Sequence, residues 1–509
     1  PAASDAYKRP TLTTPTATAT ITNDDTASPG DLTLSIADAT VVEGDGSTTG
    51  WLSTDGNQIV DSAGNPVELS GVNWFGFESE IYAPHGLWTR NYEDMMDQMV
   101  DLGFNTIRLP YSNEMLHTTS APSGIDYSLN PDLQGLSPTE VMDAVIDYAG
   151  EIGMYVILDH HRSTAGAGVS ENGLWYNNQY DEQRWIDDWV SLAARYADTP
   201  TVIGFDLHNE PYNGTWGGGG STDWAAAAED AGNAVLAVNP NLLVIVEGVA
   251  AYNNQYYWYG GNLMGVADRP IELDVDNQLV YSPHDYPNSV YPQPWFQAAD
   301  FGEDLPDVFE QMWGYIYEQE IAPVYIGEFG TKLTDPKDLI WYEAITWYLS
   351  GDFDNNGTID IPEGDEGISW TFWSWNPNSG DTGGILADDW DTVNENKLVY
   401  LEPIQFELDG SPGASVARFV VTLAQPSSAP VTVLYSTSSG TAAEGADYVG
   451  ASGSITFDPG QTSKTVTVVV LADTLTEGAE TFTVALSDPV GATIDDGSAT
   501  GTILDGSVA

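Results

Sequence analysis

Two carboxylates stand where apolar strands stop: Glu210 in "VIGFDLHNEP" and Glu328 in "PVYIGEFG". Most glutamates of so acidic a chain are solvated surface, but one that closes an apolar run is not placed for water. Two carboxyls can divide a reaction. One, kept protonated, gives its proton to a leaving oxygen. The other, kept ionised, attacks or activates water, and their surroundings must drive the two pKa values apart. Hydrolysis of a glycosidic bond needs such a pair. Arg108, His284 and Tyr286 are available to hold Glu328 ionised, and Asn209 can bind a sugar hydroxyl beside the scissile carbon.

A second constellation is "DFDNNGTIDIPE", Asp352 to Glu363. Oxygen-bearing side chains fall at loop positions 1, 3 and 5 (Asp352, Asp354, Asn356). Gly357 supplies the sharp turn, Thr358 a carbonyl, Asp360 position 9 and Glu363 the bidentate ligand at position 12. This is the EF-hand loop pattern, which points to calcium. Pro362 and Gly364 argue against a regular exiting helix, so a structural calcium ion is expected, fastening a loop near Trp373 and the active site. The carboxylate chemistry itself needs no cofactor.

The elements that must position these residues are eight apolar strands: "VELSGVNWFG", "TIRLPY", "YVILDHH", "VIGFDLHNEP", "LLVIVEG", "LVYSPHDY", "PVYIGEFG" and "ISWTFWSW". Helical spacing separates most of them, as in Met95, Met96, Met99 and Val100, or Val141, Met142, Val145, Tyr148, Ala149 and Ile152. The pattern predicts an α/β fold, a (β/α)8 TIM barrel, with its catalytic face at the C-terminal ends of the strands. Arg108, His161, Asn209, Glu210, His284, Tyr286, Glu328 and Trp373 all lie at such ends and converge on one mouth.

The totals narrow the field. The 509 residues suffice for two or three domains, and 13 Lys plus Arg against 76 Asp plus Glu give a net charge of −63. That excludes nucleic-acid backbones and anionic membranes as partners, and fits cations, neutral substrates or life in high salt. With no cysteine there is no disulfide framework, and no apolar run reaches membrane-spanning length. The chain starts at Pro1, so a signal peptide is expected to be absent or already removed. The 17 Trp and 26 Tyr fit core packing in a large fold and also flat platforms for sugar rings.

Residues 50–408 resemble the catalytic domain of glycoside hydrolase family 5, the cellulases (endo-β-1,4-glucanases) of the retaining (β/α)8 clan. The text that carries the resemblance includes "GLWTRNYEDMMDQMVDLGFNTIRLPYSNEML", "VIGFDLHNEP", "LVYSPHDY", "IAPVYIGEFGT" and "WTFWSWNPNSGDTGGIL". It implies Glu210 as acid/base and Glu328 as nucleophile, with Arg108, His161, Asn209, His284, Tyr286 and Trp373 in supporting positions. It also implies Trp74, Trp258, Tyr259, Tyr291 and Trp295 as substrate-contacting aromatics, and a cis peptide bond after Trp373. The third strand departs at "LDHHRST", where His160 replaces a residue that varies and His161 keeps the family place. The implied protein is a secreted, monomeric endo-β-1,4-glucanase cleaving internal bonds of cellulose or related β-glucans by double displacement. A mannanase or β-1,3-glucanase of the clan is the alternative within the class. A non-catalytic, calcium-dependent carbohydrate-binding or adhesion protein is the alternative outside it, and the presence of both Glu210 and Glu328 weighs against it.

From about residue 411 the text alternates with period two: "ARFVVTL", "PVTVLYS", "GSITFD", "KTVTVVVL", "ETFTVALS". Short strands with Gly and Pro between them predict an all-β sandwich, and this block resembles Calx-β domains. Its opening strand and E-G-D turn are missing. Such an opener stands unfinished at "LTLSIADATVVEGDGSTTG", Leu32 to Gly50. Residues 30–48 and 411–509 are therefore expected to form one discontinuous sandwich, with the barrel inserted. Residues 1–29 read as linker or as the last strand of a preceding repeat, since "ATATITNDD" shares its frame with "ATGTILDGS". By resemblance Glu43, Asp447, Asp473, Glu477, Glu480 and Asp505 would form a second calcium site at the sandwich edge.

Overall fold

The computed structural model describes residues 32–42, 50–298, 301–302, 304–354, 359–362, 366–401, 404–405, 414–457, 462–471 and 478–504. Eight parallel strands form the barrel: β1 (Ser70–Asn73), β2 (Thr106–Ser112), β3 (Tyr155–Arg162), β4 (Val202–Asp206), β5 (Leu243–Glu247), β6 (Leu279–Ser282), β7 (Tyr325–Phe329) and β8 (Ser369–Phe372). Pairing runs in order from β1 to β6, and β8 returns to β1 with Trp370 opposite Ser70. The circle closes between β6 and β7, where Tyr281 bridges to Val324 and His284 lies beside Glu328.

Strand alternation decides what faces the axis. On β3, Tyr155 and Ile157 pack inside with Ile203, Leu243, Ile245, Val280 and Tyr325. Val156 and Leu158 join the outer core against the helices. Period two then puts Asp159 and His161 on the inner side and His160 on the outer. Leu243, Ile245 and Glu247 make the same inner series on β5. The antiparallel hairpin Ser53–Asp55 and Gln58–Val60 brings Leu52 and Ile59 to this inner cluster. Outside, helix Tyr92–Asp101 starts at the Asn91 cap and buries Met95, Met96, Met99 and Val100. Helix Pro138–Glu151 starts from a Ser137/Glu140 capping box. Its buried residues Val141, Met142, Val145, Ile146 and Ala149 keep the 3.6 period.

The second domain is a two-sheet sandwich. One sheet runs Ser463–Leu471, Ala414–Leu423, Thr33–Ile36, Thr493–Asp496. The other runs Ser452–Phe457, Val431–Ser439, Glu480–Val490, Ser498–Leu504, Ala39–Val42. Thr33–Ile36 pairs antiparallel with Ala414–Leu423, Leu34 opposite Leu423 and Ile36 opposite Val421. Ala39–Val42 runs parallel to Ser498–Leu504. Leu32, Leu34 and Ile36 share one buried core with Phe419, Val421, Val468 and Val470. Residues 1–31 and 43–49, including the repeat frame at 17–25, lie outside the described residues.

Candidate active site

The strand ends deliver a ring of charge around one guanidinium. Arg108, fully buried on β2, donates to Glu328 (2.8 Å), Asn73 (3.0 Å), Asn209 (3.1 Å), Glu247 (3.1 Å) and Asp206 (3.0 Å). Asp159 lies 3.2 Å away. So dense a set of partners fixes the guanidinium and leaves Glu328 one orientation. Tyr286 donates to the other Glu328 oxygen at 2.6 Å. His284 reaches Glu210 (3.1 Å) and Glu328 (3.5 Å) through Nδ1 and Glu247 (3.2 Å) through Nε2.

Glu210 enters by a strained turn. Its φ is +51°, and its N–H is held by the Glu247 carboxylate at 2.7 Å. A non-glycine residue in this region persists only where its surroundings enforce it. One carboxylate oxygen of Glu210 and one of Glu328 come within 4.8 Å of each other. That suits a carboxyl separation of about 5–5.5 Å, too short to admit a water beside a sugar.

The two carboxyls also differ in charge state. Burial raises Glu210 to about 7, against the pull of its His284 hydrogen bond, and the Glu328 charge adds to the rise. At Glu328 burial pushes the same way, but the charges of His284 and Arg108 outweigh it and hold the carboxyl below its ordinary value. Burial alone would strip the proton from His284; the Glu247 and Glu328 carboxylates keep it there, well above the ordinary imidazole value. Below about pH 7 a protonated Glu210 carboxyl thus faces an ionised Glu328 carboxylate across the mouth.

His161 and Trp373 complete the site, their rings stacked 7° from parallel at 5.4 Å. The Trp373–Ser374 bond is cis. A Cβ at Gly330 would lie 2.0 Å from the Trp373 carbonyl oxygen, so only glycine lets the loops after β7 and β8 pass this closely. Of the aromatics named from the resemblance, Tyr259 (47 % exposed, stacked on Tyr212) and Tyr291 (61 %) offer ring surface. Trp295 is half-buried against Tyr257, and Trp258 is nearly buried against Tyr286. Trp74 is a correction: it is wholly buried and its indole N–H is spent on the His85 carbonyl, so it offers no face to a sugar. Sequence reasoning missed Asn73, Asp159, Asp206 and Glu247 around Arg108. The three acids carry the signal that singled out Glu210 and Glu328, an apolar run ending in a carboxylate.

The segment expected to bind calcium sits elsewhere than expected. It follows helix Pro336–Leu349 and precedes β8, so it lies at the N-terminal end of that strand, away from Trp373 at the C-terminal end. Asp352, Asp354 and Asp360 bring one carboxylate oxygen each within 4.8 Å of one another. Oxygens bound to one calcium at about 2.3–2.6 Å would stand at such separations, so these donors fit the ion. Asn356, Thr358 and Glu363 lie outside the described residues. In the sandwich, the Asp447 carboxylate accepts the Ala443 N–H of its own turn. Glu480 opens the strand Glu480–Val490. No group of three metal-binding side chains forms around either among the described residues. Glu43, Asp473, Glu477 and Asp505 are outside them.

The family model described as Cellulase (glycosyl hydrolase family 5) matches residues 60–379. An endoglucanase of Paenibacillus polymyxa is 50% identical over 380 residues, covering 73% of this chain and 90% of that protein. The chain belongs to glycosyl hydrolase family 5. The major extracellular endoglucanase of Xanthomonas campestris pv. campestris is 42% identical, over 68% of this chain and 69% of that one. Its catalytic domain superposes with a TM-score of 0.63 at 40% identity, covering 70% of this chain and 99% of that one. A variant endocellulase of Pyrococcus horikoshii in complex with cellotetraose gives 0.64 at 39% identity, over 71% and 100%. This family 5 enzyme is a glycoside hydrolase, an endoglucanase. A Calx-beta domain model matches residues 393–507. It starts beside the helix Glu395–Leu401, whose Leu401 packs in the barrel core.

Proposed function

We propose that this family 5 endoglucanase cleaves internal β-1,4 bonds of cellulose or a related β-glucan with retention, by double displacement. The observation that carries the reading is the Glu210–Glu328 pair, close together and of opposite protonation. Glu328 attacks the anomeric carbon while Glu210 protonates the leaving oxygen. Glu210 then removes a proton from the water that releases the sugar. Asn209 Nδ2, buried without a partner among the described residues, is free to donate to a sugar hydroxyl next to the reacting carbon.

Rates across pH on carboxymethylcellulose, mannan and laminarin test this reading. Carboxymethylcellulose should be fastest. Activity requires Glu328 ionised and Glu210 protonated, so it should fall as pH drops below the depressed Glu328 value and fall again as pH rises through about 7. Faster cleavage of mannan or laminarin, or activity still rising well above pH 7, contradicts it.

Three further readings belong with the enzyme. The relative from Xanthomonas campestris is named as extracellular, which supports secretion; among the described residues no helix is long and apolar enough to cross a membrane. A net charge of −63 repels itself and is screened by salt, which supports work at high ionic strength. Calcium at Asp352, Asp354 and Asp360 would fasten the loop ahead of β8 as a structural ion. An ion bound only by the folded chain stabilises it by about 2.7 kcal/mol at a hundredfold excess over Kd. Chelation should therefore lower the melting temperature of the barrel, and Asp352→Ala should abolish the response. Elemental analysis without calcium, together with an Asp352→Ala protein that melts like wild type, rules the ion out.

A further inference from the structure

Behind Glu210 the structure packs two histidines that the groups at the mouth do not use. His160 lies near the end of β3 on its outer side, and His208 precedes Asn209 and Glu210. Both rings are fully buried, and their Nδ1 atoms are 2.9 Å apart. The surrounding groups settle which nitrogens carry protons. His208 Nδ1 also lies 3.1 Å from the His160 carbonyl oxygen, which can only accept, so His208 Nδ1 bears the hydrogen. His160 Nδ1 is then a bare acceptor, and the His160 hydrogen sits on Nε2, 2.7 Å from the Asn113 carbonyl oxygen. Asn113 in turn donates to Asp188 at 2.8 Å, and Asp188 is held by His117 and Arg184 at the surface. Burial keeps both rings neutral, with His208 lowered to about 3 and His160 well below the ordinary value.

His160 therefore grips the catalytic turn twice. Its Nδ1 and carbonyl oxygen receive the His208 ring, and the same carbonyl receives the Asn209 N–H at 3.0 Å. The next residue is Glu210, in its left-handed conformation. We propose that His160, oriented by Asn113 and Asp188, is a positioning residue that seats the His208–Asn209–Glu210 turn so that the Glu210 carboxyl meets the leaving oxygen. The proposal rests on Glu210 being the general acid. It makes the choice of atom matter: the acceptor at Nδ1 does the positioning, while the Nε2 hydrogen fixes the ring.

The test uses leaving groups that differ in their need for a proton. His160→Asn keeps an acceptor oxygen near the Nδ1 position. His160→Gln reaches toward Asn113 in place of Nε2, and His160→Phe keeps only a ring. On cellotetraose, whose leaving sugar needs protonation, kcat/KM should fall about tenfold to a hundredfold in the Gln and Phe variants and less than about threefold in the Asn variant. On 2,4-dinitrophenyl cellobioside, whose leaving group needs no proton, all three should stay within about threefold of wild type. Equal losses in Asn and Gln, or equal losses on both substrates in proteins that melt like wild type, overturn the proposal. If the Phe variant does not fold, Asn113→Ala must show the same split between the substrates, and its absence overturns the proposal too. Glu210→Gln separates the two readings. If it shows no split, the general-acid assignment fails; if it shows the split and the His160 variants do not, only the positioning role fails.

Discussion

Glu328→Gln lowers kcat on cellotetraose or carboxymethylcellulose by about four orders of magnitude or more, with substrate binding kept. The amide has the shape of the carboxylate and can still accept from Tyr286, now 2.6 Å from Glu328 Oε2. It cannot form the bond to the anomeric carbon. The site around it should hold, because Arg108 keeps Asp159, Asp206 and Glu247 as partners. A loss of this size with an unchanged melting temperature and measurable affinity for cellotetraose is the expected result. A folded Glu328→Gln protein within tenfold of wild-type kcat removes Glu328 as nucleophile.

A chain starting at Trp51 should keep an active barrel and lose the cooperative unfolding of its sandwich. Leu32, Leu34 and Ile36 are 4%, 0% and 4% exposed within that core. Three buried aliphatic side chains contribute roughly 5–9 kcal/mol in transfer terms, on the scale of a whole domain's stability, about 5–15 kcal/mol. The truncation also strips Ala414–Leu423 of the Thr33–Ile36 neighbour on one side, and Ser498–Leu504 of Ala39–Val42. Calorimetry of the shortened chain should show the barrel transition alone. A sandwich that still melts as a unit means that residues 32–42 are dispensable to it and that the barrel is not an insert in the functional sense.

Much of this architecture is legible in the sequence because periodicity reports burial directly. Met95, Met96 and Met99 name a helix face, and Leu32, Leu34 and Ile36 name a strand face, by their spacing alone. The site is legible at residues whose chemistry is rare at a strand end, such as Arg108, His284 and Glu328. Asp159, Asp206 and Glu247 end strands in the same way, yet nothing in the text says that they gather on one guanidinium. Which strands adjoin across the barrel axis is a property of closure. Trp74 misleads because a tryptophan at a strand end reads alike whether its ring faces the cleft or the core; only the His85 carbonyl against its indole decides. The acidic segment ahead of β8 misleads by proximity in sequence to Trp373, although β8 runs between them and carries them to opposite ends. The His160–His208 pair could not be foreseen, since two outer-layer residues from different strands meet only once β3 and β4 are in register.

The fate of the anomeric carbon tests the double displacement most directly. Wild-type enzyme acting on cellotetraose in deuterated buffer, followed by proton NMR from the first minute, reports which anomer is released before mutarotation mixes the two. Attack by Glu328 and then by water assisted by Glu210 inverts the carbon twice, so the β-anomer should appear first and the α-anomer only as equilibrium is approached. Release of the α-anomer first would mean that water attacks directly, and would contradict both the role of Glu328 and the double displacement.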